Sequence, residues 1–110
     1  MFRVVMLYPR TSDSRFEMNY YLTRHIPRIR EIFMEHGLLD LEVQQGIAGA
    51  MPGQPAPYMC ISSFLFEKLE GFQKGFAAQG AWIMGDVPNY TNVQPQVQIS
   101  NVVHAPSSGG

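Results

Sequence analysis

The feature that most constrains this chain is a proline inside its longest amphipathic segment, residues 16–37. Apolar side chains recur there at helical spacing and form one stripe: Met18, Leu22, Ile26, Ile29, Ile32 and Phe33. Pro27 removes one backbone hydrogen bond from this helix and crowds the carbonyl of Thr23, at a cost of about 3 kcal/mol in a straight helix. The sequence therefore predicts a kink or a local widening between Thr23 and Pro27.

His25 lies in the same stripe, two residues before the proline. Carbonyl groups that the proline frees, next to an imidazole ring, create a polar spot on an otherwise apolar helix face. We therefore expect a ligand pocket beside His25.

Both ends of this helix carry sequence signals. Ser14 and Glu17 have the spacing of a capping box, which predicts that the helix starts with them. Gly37 follows His36, and a glycine after a ring that can carry positive charge is typical of a helix C-terminus.

Four segments rich in β-branched, aromatic or alternating apolar residues are predicted strands: Phe2–Tyr8, Leu39–Ala50, Tyr58–Phe66 and Val93–Val103. A second helix follows the third strand, because Leu69, Phe72 and Phe76 are spaced by three and four residues. Residues 80–92 show no period and are predicted to be irregular.

The resulting order is βαββαβ, which is the plan of the α+β ferredoxin-like fold with a four-stranded antiparallel sheet. We expect a single domain over residues 1–104. The small polar residues of 105–110 predict a flexible tail.

Two helices cover only one face of such a sheet. Four apolar strand residues are too many to hide under two short helices: Phe64, Phe66, Val97 and Ile99. Because a monomer rarely exposes so large an apolar patch, the sequence predicts a homodimer packed sheet to sheet.

Composition and charge exclude several classes of partner. Eight basic against nine acidic residues give a formal charge of -1, and no basic face is dense enough to follow a nucleic-acid backbone. No apolar run approaches the ~20 residues that span a bilayer, and no signal peptide is recognisable. We therefore expect no nucleic-acid or membrane partner and a cytoplasmic location.

Disulfide and cofactor motifs are also missing from the sequence. The single cysteine, Cys60, allows no disulfide within one chain and is predicted to be a small buried hydrophobe. Gly46, Gly49 and Gly53 match neither dinucleotide nor P-loop spacing, so we expect no cofactor.

Motifs spread from Val4 to Val103 form one pattern: Met6-Leu7-Tyr8-Pro9, Phe16, Tyr20-Tyr21, His25-x-Pro27, Gly46-x-Ala48-Gly49, Ile83 to Thr91 (IMGDVPNYT) and Pro95-x-Val97-Gln98-Ile99-Ser100. Together they resemble the EthD family, the small-protein family named for ethyl tert-butyl ether degradation. The His-x-Pro and Asp-Val-Pro-Asn-Tyr-Thr elements are far more specific together than either is alone.

This resemblance implies a dimeric α+β barrel, in which two ferredoxin-like units join through their sheets and each holds a cleft between sheet and helices. It implies an association with oxidative ether degradation, and members of the wider barrel group act as cofactor-free oxygenases, decarboxylases or polyketide-modifying enzymes. Many relatives carry a histidine within residues 76–80, whereas this chain has Ala77-Ala78-Gln79. If a pair of histidines carries the chemistry, this chain has lost part of it.

His25 is the first candidate for catalysis, because a neutral imidazole can accept a proton near pH 7. The competing interpretation is a core histidine bonded to a carbonyl that Pro27 frees. Asp86 is the second candidate, either as a carboxylate that orients His25 or as a turn and cap residue before Pro88.

Tyr90 and Asn89 are candidates to stabilise developing oxyanion charge, and residues 86–90 are expected at the mouth of the cleft. Tyr8 and Tyr21 could donate hydrogen bonds to a carbonyl or phenol oxygen of a ligand. Trp82 either walls the cleft or covers the dimer seam.

Only His25 and Asp86 form a plausible metal-ligand pair, and a metal site needs three or four ligands, so no metal is predicted. Two classes of function remain open. The first is a cofactor-free enzyme that acts on an apolar, aromatic or polyketide-like metabolite with His25 as general base. The second is a non-catalytic accessory protein that holds an apolar metabolite for a partner oxidase.

Overall fold

The computed structural model describes residues 1–106, and four strands form its single antiparallel sheet: β1 (Phe2–Pro9), β2 (Leu38–Gln45), β3 (Tyr58–Phe66) and β4 (Gln96–Asn101). Their spatial order is β2-β3-β1-β4. Residues 107–110 of the predicted tail lie outside the described part of the chain.

Helical segments connect the strands in this order: α1 (Met18–Tyr20), a π-helical turn (Tyr21–His25), α2 (Ile26–Met34), α3 (Leu69–Gly85) and a 3-10 turn (Val87–Asn89). The element order and the antiparallel pairing confirm the predicted α+β ferredoxin-like fold. Among the described residues, no helix has the length and apolar character needed to cross a membrane.

The predicted widening beside Pro27 is confirmed as the π-helical turn. The N–H of Ile26 donates to the carbonyl of Tyr21, five residues earlier, instead of the fourth residue back. Pro27 then lies in the first turn of α2, where a residue without an N–H is tolerated. The wider turn therefore accommodates a proline that has no N–H to donate.

The π-helical turn also corrects the predicted stripe. Because it holds one extra residue, every side chain before it is rotated by about 100° relative to a regular α-helix. Tyr21 is consequently buried at 1% exposure, whereas Leu22, which the regular spacing assigns to the core, is 46% exposed. The stripe continues below the turn as predicted, through Ile26 and Ile29.

The predicted capping box is wrong. The helix starts at Met18, and Glu17 stands at its N-cap without a side-chain capping hydrogen bond. The Ser14 hydroxyl instead accepts from the N–H of Thr11 at 2.8 Å, because a local turn precedes the helix. The predicted C-terminal glycine is confirmed, since Gly37 has a φ of 88°.

The second helix, α3, is longer than its sequence period indicates. It continues through Gly80 to Gly85, so Trp82 and Ile83 are helical and not irregular. A Cβ on Gly71 would overlap the carbonyl of His36, so this glycine permits α3 to approach the end of the first helix. Tertiary packing thus sustains a helix that local propensity does not predict.

Two predicted strands are too long. β2 ends at Gln45, because residues 46–57 leave the sheet as an excursion that contains three prolines. β4 is limited to Gln96–Asn101, and Val103, the last residue of the predicted strand, lies beyond it and is 89% exposed.

The sheet faces also differ from the prediction. Phe64 and Phe66 are buried beneath the helices, and Val97 and Ile99 belong to that same face, exposed at the β4 edge. The opposite face, which we call the open face, carries a different apolar set: Val5, Leu7, Ile61 and Leu65. These four are partly exposed and lie outside the core cluster.

We expect Gly71→Ala to lower the free energy of unfolding by about 1 to 3 kcal/mol, because its Cβ would press on a backbone carbonyl that cannot move aside. Gly85→Ala is the matched control, since nothing lies within 4 Å of its added Cβ and alanine favours a helix. Urea titration of both variants measures the difference. Equal stabilities would show that the close approach is not needed.

Candidate functional site

A cavity of about 340 Å³ lies between the helices and the sheet. Its lining is almost entirely apolar and comes from both layers: Val4, Met6, Tyr8, Tyr21, His25, Ile29, Phe33, Phe64, Phe66, Phe72, Phe76, Ile83, Met84 and Val97. The hydroxyl groups and the imidazole in this lining belong to Tyr8, Tyr21 and His25. A ligand therefore meets few polar atoms.

His25 is a buried side chain in the wall of this cavity, 3% exposed. Its ring is stacked between Tyr21, 5.2 Å away at 16°, and Trp82, 5.4 Å away at 15°. Tyr90 packs against the same ring at 4.7 Å. Three aromatic neighbours therefore fix the plane of the imidazole.

The position of the ring nitrogens is set by Asp86. His25 Nδ1 lies 2.8 Å from Asp86 Oδ2. A carboxylate can only accept, so Nδ1 carries the proton and Nε2 of the neutral ring carries a lone pair. Among the described residues Nε2 makes no hydrogen bond, and no buried side-chain nitrogen or oxygen is left without a partner. Nε2 is therefore not sealed, and the ring that carries it lines the cavity.

Asp86 itself is buried at the junction of α3 and the 3-10 turn. Its Oδ1 accepts from the Tyr20 hydroxyl at 2.8 Å and from Asn89 Nδ2 at 2.9 Å. Burial opposes ionisation of this carboxyl, but the hydrogen bonds from Asn89, His25 and Tyr20 outweigh it and hold its pKa below the usual value. Asp86 is thus a carboxylate held by neutral donors.

Burial lowers the pKa of His25 below its ordinary value, although the hydrogen bond and the charge of Asp86 act in the opposite direction. The ring is consequently neutral at pH 7. It can accept a proton at Nε2, and Asp86 would then face an imidazolium across a 2.8 Å hydrogen bond. This is the arrangement that a general base requires.

Contacts with the chain before α1 hold the segment after Asp86 in place. Glu17 N–H donates to the carbonyl of Tyr90 at 2.7 Å, and the Thr91 hydroxyl donates to the carbonyl of Arg15 at 2.7 Å. These bonds clamp Tyr90 against the π-helical turn, so two parts of the chain that are distant in sequence meet at His25.

Two pairs of buried hydroxyls involve the tyrosines that line the cavity. The hydroxyls of Tyr8 and Tyr90 are 2.8 Å apart, and those of Tyr21 and Ser62 are 2.6 Å apart. Burial raises the pKa of Tyr8, Tyr21 and Tyr90, so all three remain protonated. Cys60, also buried as predicted, lies 3.7 Å from the Ser62 hydroxyl, and burial raises its pKa to about 11.

The predicted site residues fall into two groups. Tyr8, Tyr21 and His25 line the cavity. The other four lie behind the His25 ring or its partner and not at a cavity mouth: Asp86, Tyr90, Trp82 and Asn89. Asn89 is committed to Asp86, so it does not face a ligand.

Sequence reasoning missed two residues that complete this site. Tyr20 holds the Asp86 carboxylate, and Ser62 holds the Tyr21 hydroxyl. The even spacing of Ser62 with Cys60 and Phe64 on a buried strand face was the available signal, because a serine at a core position needs a hydrogen-bond partner. Tyr20 carried no comparable signal.

Within residues 76–80, where the resemblance led us to expect a histidine, Phe76 lines the cavity. Ala77 and Ala78 are exposed, and Gln79 lies on an outer groove with Arg28. Across residues 1–106, no group of three or more His, Cys, Asp or Glu side chains is placed to hold a metal ion.

Comparisons with known proteins agree with this fold. A family model described as the EthD domain matches residues 9–94. An EthD-like protein from Ralstonia eutropha JMP134 is 33% identical, with a TM-score of 0.91 over 97% of this chain and 96% of that one. An ethyl tert-butyl ether degradation (EthD) family protein from Bacillus halodurans C-125 is 18% identical, with a TM-score of 0.66 over 94% of this chain and 99% of that one.

A dimeric ferredoxin-like protein from an uncultured marine organism is 12% identical, with a TM-score of 0.56 over 97% of this chain and 99% of that one. A search of curated proteins found no match.

We expect the free energy of unfolding to fall as the pH drops below about 6.5, the ordinary pKa of histidine. The folded pKa of His25 lies below that value, so the unfolded chain binds the proton first. One proton contributes at most about 1.4 kcal/mol per pH unit. The lowered pKa of Asp86 adds a further loss only below about pH 4.

Chemical denaturation at a series of pH values between 7.5 and about 5 measures this slope. His25→Gln is the comparison, because it removes the titrating ring and keeps an amide that can donate to Asp86. If the free energy of unfolding falls with decreasing pH at the same rate in both proteins, the loss of stability in acid cannot be assigned to His25.

Proposed function

This chain belongs to the EthD family, and we propose that it is a cofactor-free enzyme of small-molecule catabolism that uses His25 as general base. The observation that supports this most is that the two nitrogens of the His25 ring differ in their bonding. Nδ1 is held by the Asp86 carboxylate at 2.8 Å, while the unprotonated Nε2 has no hydrogen-bond partner among the described residues, is not sealed, and belongs to a ring that lines an apolar cavity. A purely structural histidine would have both nitrogens bonded or sealed.

The cavity supports a neutral, apolar substrate. No lysine or arginine of the described residues is in its lining, so a carboxylate or phosphate would be buried without a counter-charge. A cavity of 150 Å³ holds a benzene ring. The 340 Å³ measured here leaves room for a metabolite of two rings or a folded apolar chain.

Asp86 supports the proposed base in two ways. It selects the tautomer, since it accepts from Nδ1, and it stabilises the imidazolium that forms after proton transfer. Tyr20 and Asn89 keep the carboxylate aimed at the ring. Tyr90 and Trp82 fix the ring plane, so we propose them as positioning residues.

A second candidate is the non-catalytic accessory protein, which would hold the same metabolite for a partner oxidase. The almost wholly apolar lining favours it, because hydrophobic burial alone is enough to bind such a ligand. The two candidates differ in whether the bound molecule is converted.

We also propose a homodimer packed through the open face. Val5, Leu7, Ile61 and Leu65 are its apolar residues, Arg3 and Ser63 lie among them and are hydrogen-bonded to each other at 3.0 Å, and the polar edge strands β2 and β4 flank this centre. A ferredoxin-like protein of the same fold is dimeric, which supports the existence of a dimer. The cavity lies on the other side of the sheet, so the dimer could form and the cavity could hold a ligand at the same time.

We expect a screen of apolar aromatic and polyketide-like metabolites to return the same binders for the wild type and for His25→Gln, with turnover by the wild type alone. Loss of a positioned base lowers kcat by about 100-fold or more. Mass spectrometry of the incubated metabolites measures turnover, and melting shifts measure binding.

The control is His36→Gln, the same substitution at a histidine in an outer groove away from the cavity. It should turn over as the wild type does. If the wild type and both variants bind a metabolite and none of them converts it, the result would support the accessory function. Turnover retained by His25→Gln would exclude His25 as the base.

We expect Ile61→Arg to convert the dimer to a monomer at micromolar concentration, because it places a charge at the centre of the open face, beside Leu7. Gln73→Arg puts the same charge on the exposed side of α3 and should leave the dimer intact. Light scattering measures both masses. A wild-type chain that is already a folded monomer would contradict the proposed interface.

A further inference from the structure

The cavity follows the first helix over a defined length. His25, Ile29 and Phe33 all line it and follow one another at intervals of four residues, so they share one helix face. At a rise of 1.5 Å per residue, the distance along the helix from His25 to Phe33 is about 12 Å. The helix therefore borders an elongated space.

The strand beneath the helix covers a similar length. Val4, Met6 and Tyr8 line the cavity from alternate positions of β1, and four residues of a strand span about 13 Å. Tyr8 lies at the same end as His25, because the rings of both pack against Tyr21, at 5.8 Å and 5.2 Å. Helix and strand thus enclose one space and run along it together.

The two ends of this space differ in chemistry. The polar side chains of the described lining lie together at one end, which we call the polar end: Tyr8, Tyr21 and His25. The other end, which we call the phenylalanine end, is a cluster of rings whose neighbouring centroids are 5.6 to 6.0 Å apart: Phe33, Phe66, Phe72 and Phe76. A molecule that fills the cavity therefore meets polar side chains at one end and hydrocarbon at the other.

The most exposed part of the lining is at the side of the cavity. His25 and Phe33 are both buried, whereas Met84 on α3 and Val97 on β4 are exposed. Val97 pairs with Met6, which is the middle of the three lining residues of β1. A ligand can therefore enter between α3 and β4, and buried side chains limit its length.

We propose that the ligand is an elongated apolar molecule with one polar group, which lies at the polar end while a hydrocarbon tail fills the phenylalanine end. This rests on the proposed function and adds the shape and the orientation of the substrate. Nε2 of His25 has no partner among the described residues and can accept a hydrogen bond from the polar group. In the reverse orientation the polar group would lose its hydrogen bonds to water among phenyl rings.

Phe72 is the residue that we expect to set the longest tail. Its ring stacks on Phe33 at 5.7 Å and meets Phe66 edge-on at 6.0 Å, so it closes the phenylalanine end from the α3 side. Phe33 and Phe66 are buried in the core, whereas Phe72 is only partly buried. Phe72 can therefore be truncated with less damage to the fold.

The first test measures the affinity of the full chain for 4-alkylphenols with tails from methyl to octyl, by calorimetry. In the wild type the affinity should rise about fourfold with each methylene that is buried, and level off once the tail fills the cavity. In Phe72→Ala the fourfold rise should continue past that limit, because the removed ring leaves space. Gln73→Ala, the same replacement at the exposed neighbouring residue, should level off where the wild type does.

The second test reads the orientation from the single tryptophan, Trp82, whose ring stacks on His25 at 5.4 Å. A bromine atom quenches tryptophan fluorescence at short range. 4-Hexylphenol with bromine beside its hydroxyl should therefore quench Trp82 more strongly than 4-hexylphenol with bromine at the end of its tail. This comparison uses the wild type and does not depend on the folding of a variant.

Three results would overturn the inference and leave apolar binding in the cavity standing. The first is an affinity that does not depend on tail length, and the second is a limit that is the same in Phe72→Ala and Gln73→Ala. The third is quenching by the tail bromine that equals or exceeds quenching by the ring bromine. If no alkylphenol binds, the proposed cavity function fails as well.

Discussion

The missing N–H of Pro27 is the constraint on which the arrangement of this molecule depends. The helix absorbs it by widening over Tyr21–His25, and the extra residue turns Tyr21 toward the sheet in place of Leu22. The Tyr21 ring then stacks on His25, and its hydroxyl reaches Ser62 on β3. A single backbone hydrogen bond thus decides which side chains wall the cavity, in keeping with the frequent occurrence of π turns at functional sites.

The electrostatics of the site depend on a buried carboxylate that neutral groups hold. Asn89, Tyr20 and His25 supply its three hydrogen bonds. An arginine in their place would compensate the charge permanently. With neutral donors, the negative charge of Asp86 remains available, so that a proton arriving at His25 is stabilised when it arrives. Burial meanwhile keeps the ring neutral until then, by lowering its pKa.

Local patterns predicted much of the fold. The bounds of β3 agree with the structure at both ends, because its alternation is strong and both flanks are loops, and the widening beside Pro27 follows from covalent geometry. Sequence patterns failed where contacts between distant parts of the chain decide the structure. α3 continues past Gly80 because its packing outweighs the poor helix propensity of glycine. The register of β1 with β3 assigned Phe64 to the helices and Ile61 to the open face, and register is a property of paired strands.

For the site, the sequence by itself determined the two chemical groups, His25 on an apolar helix face and Asp86 beside Pro88, together with the family pattern around them. Only the tertiary structure decided that Asp86 is hydrogen-bonded to the His25 ring and that the hydroxyls of Tyr8 and Tyr90 are hydrogen-bonded to each other. The physical reason is distance along the chain. A helix or a strand is specified by spacings of two to four residues, whereas the bond between His25 and Asp86 joins residues 61 apart and exists only once the helices close over the sheet.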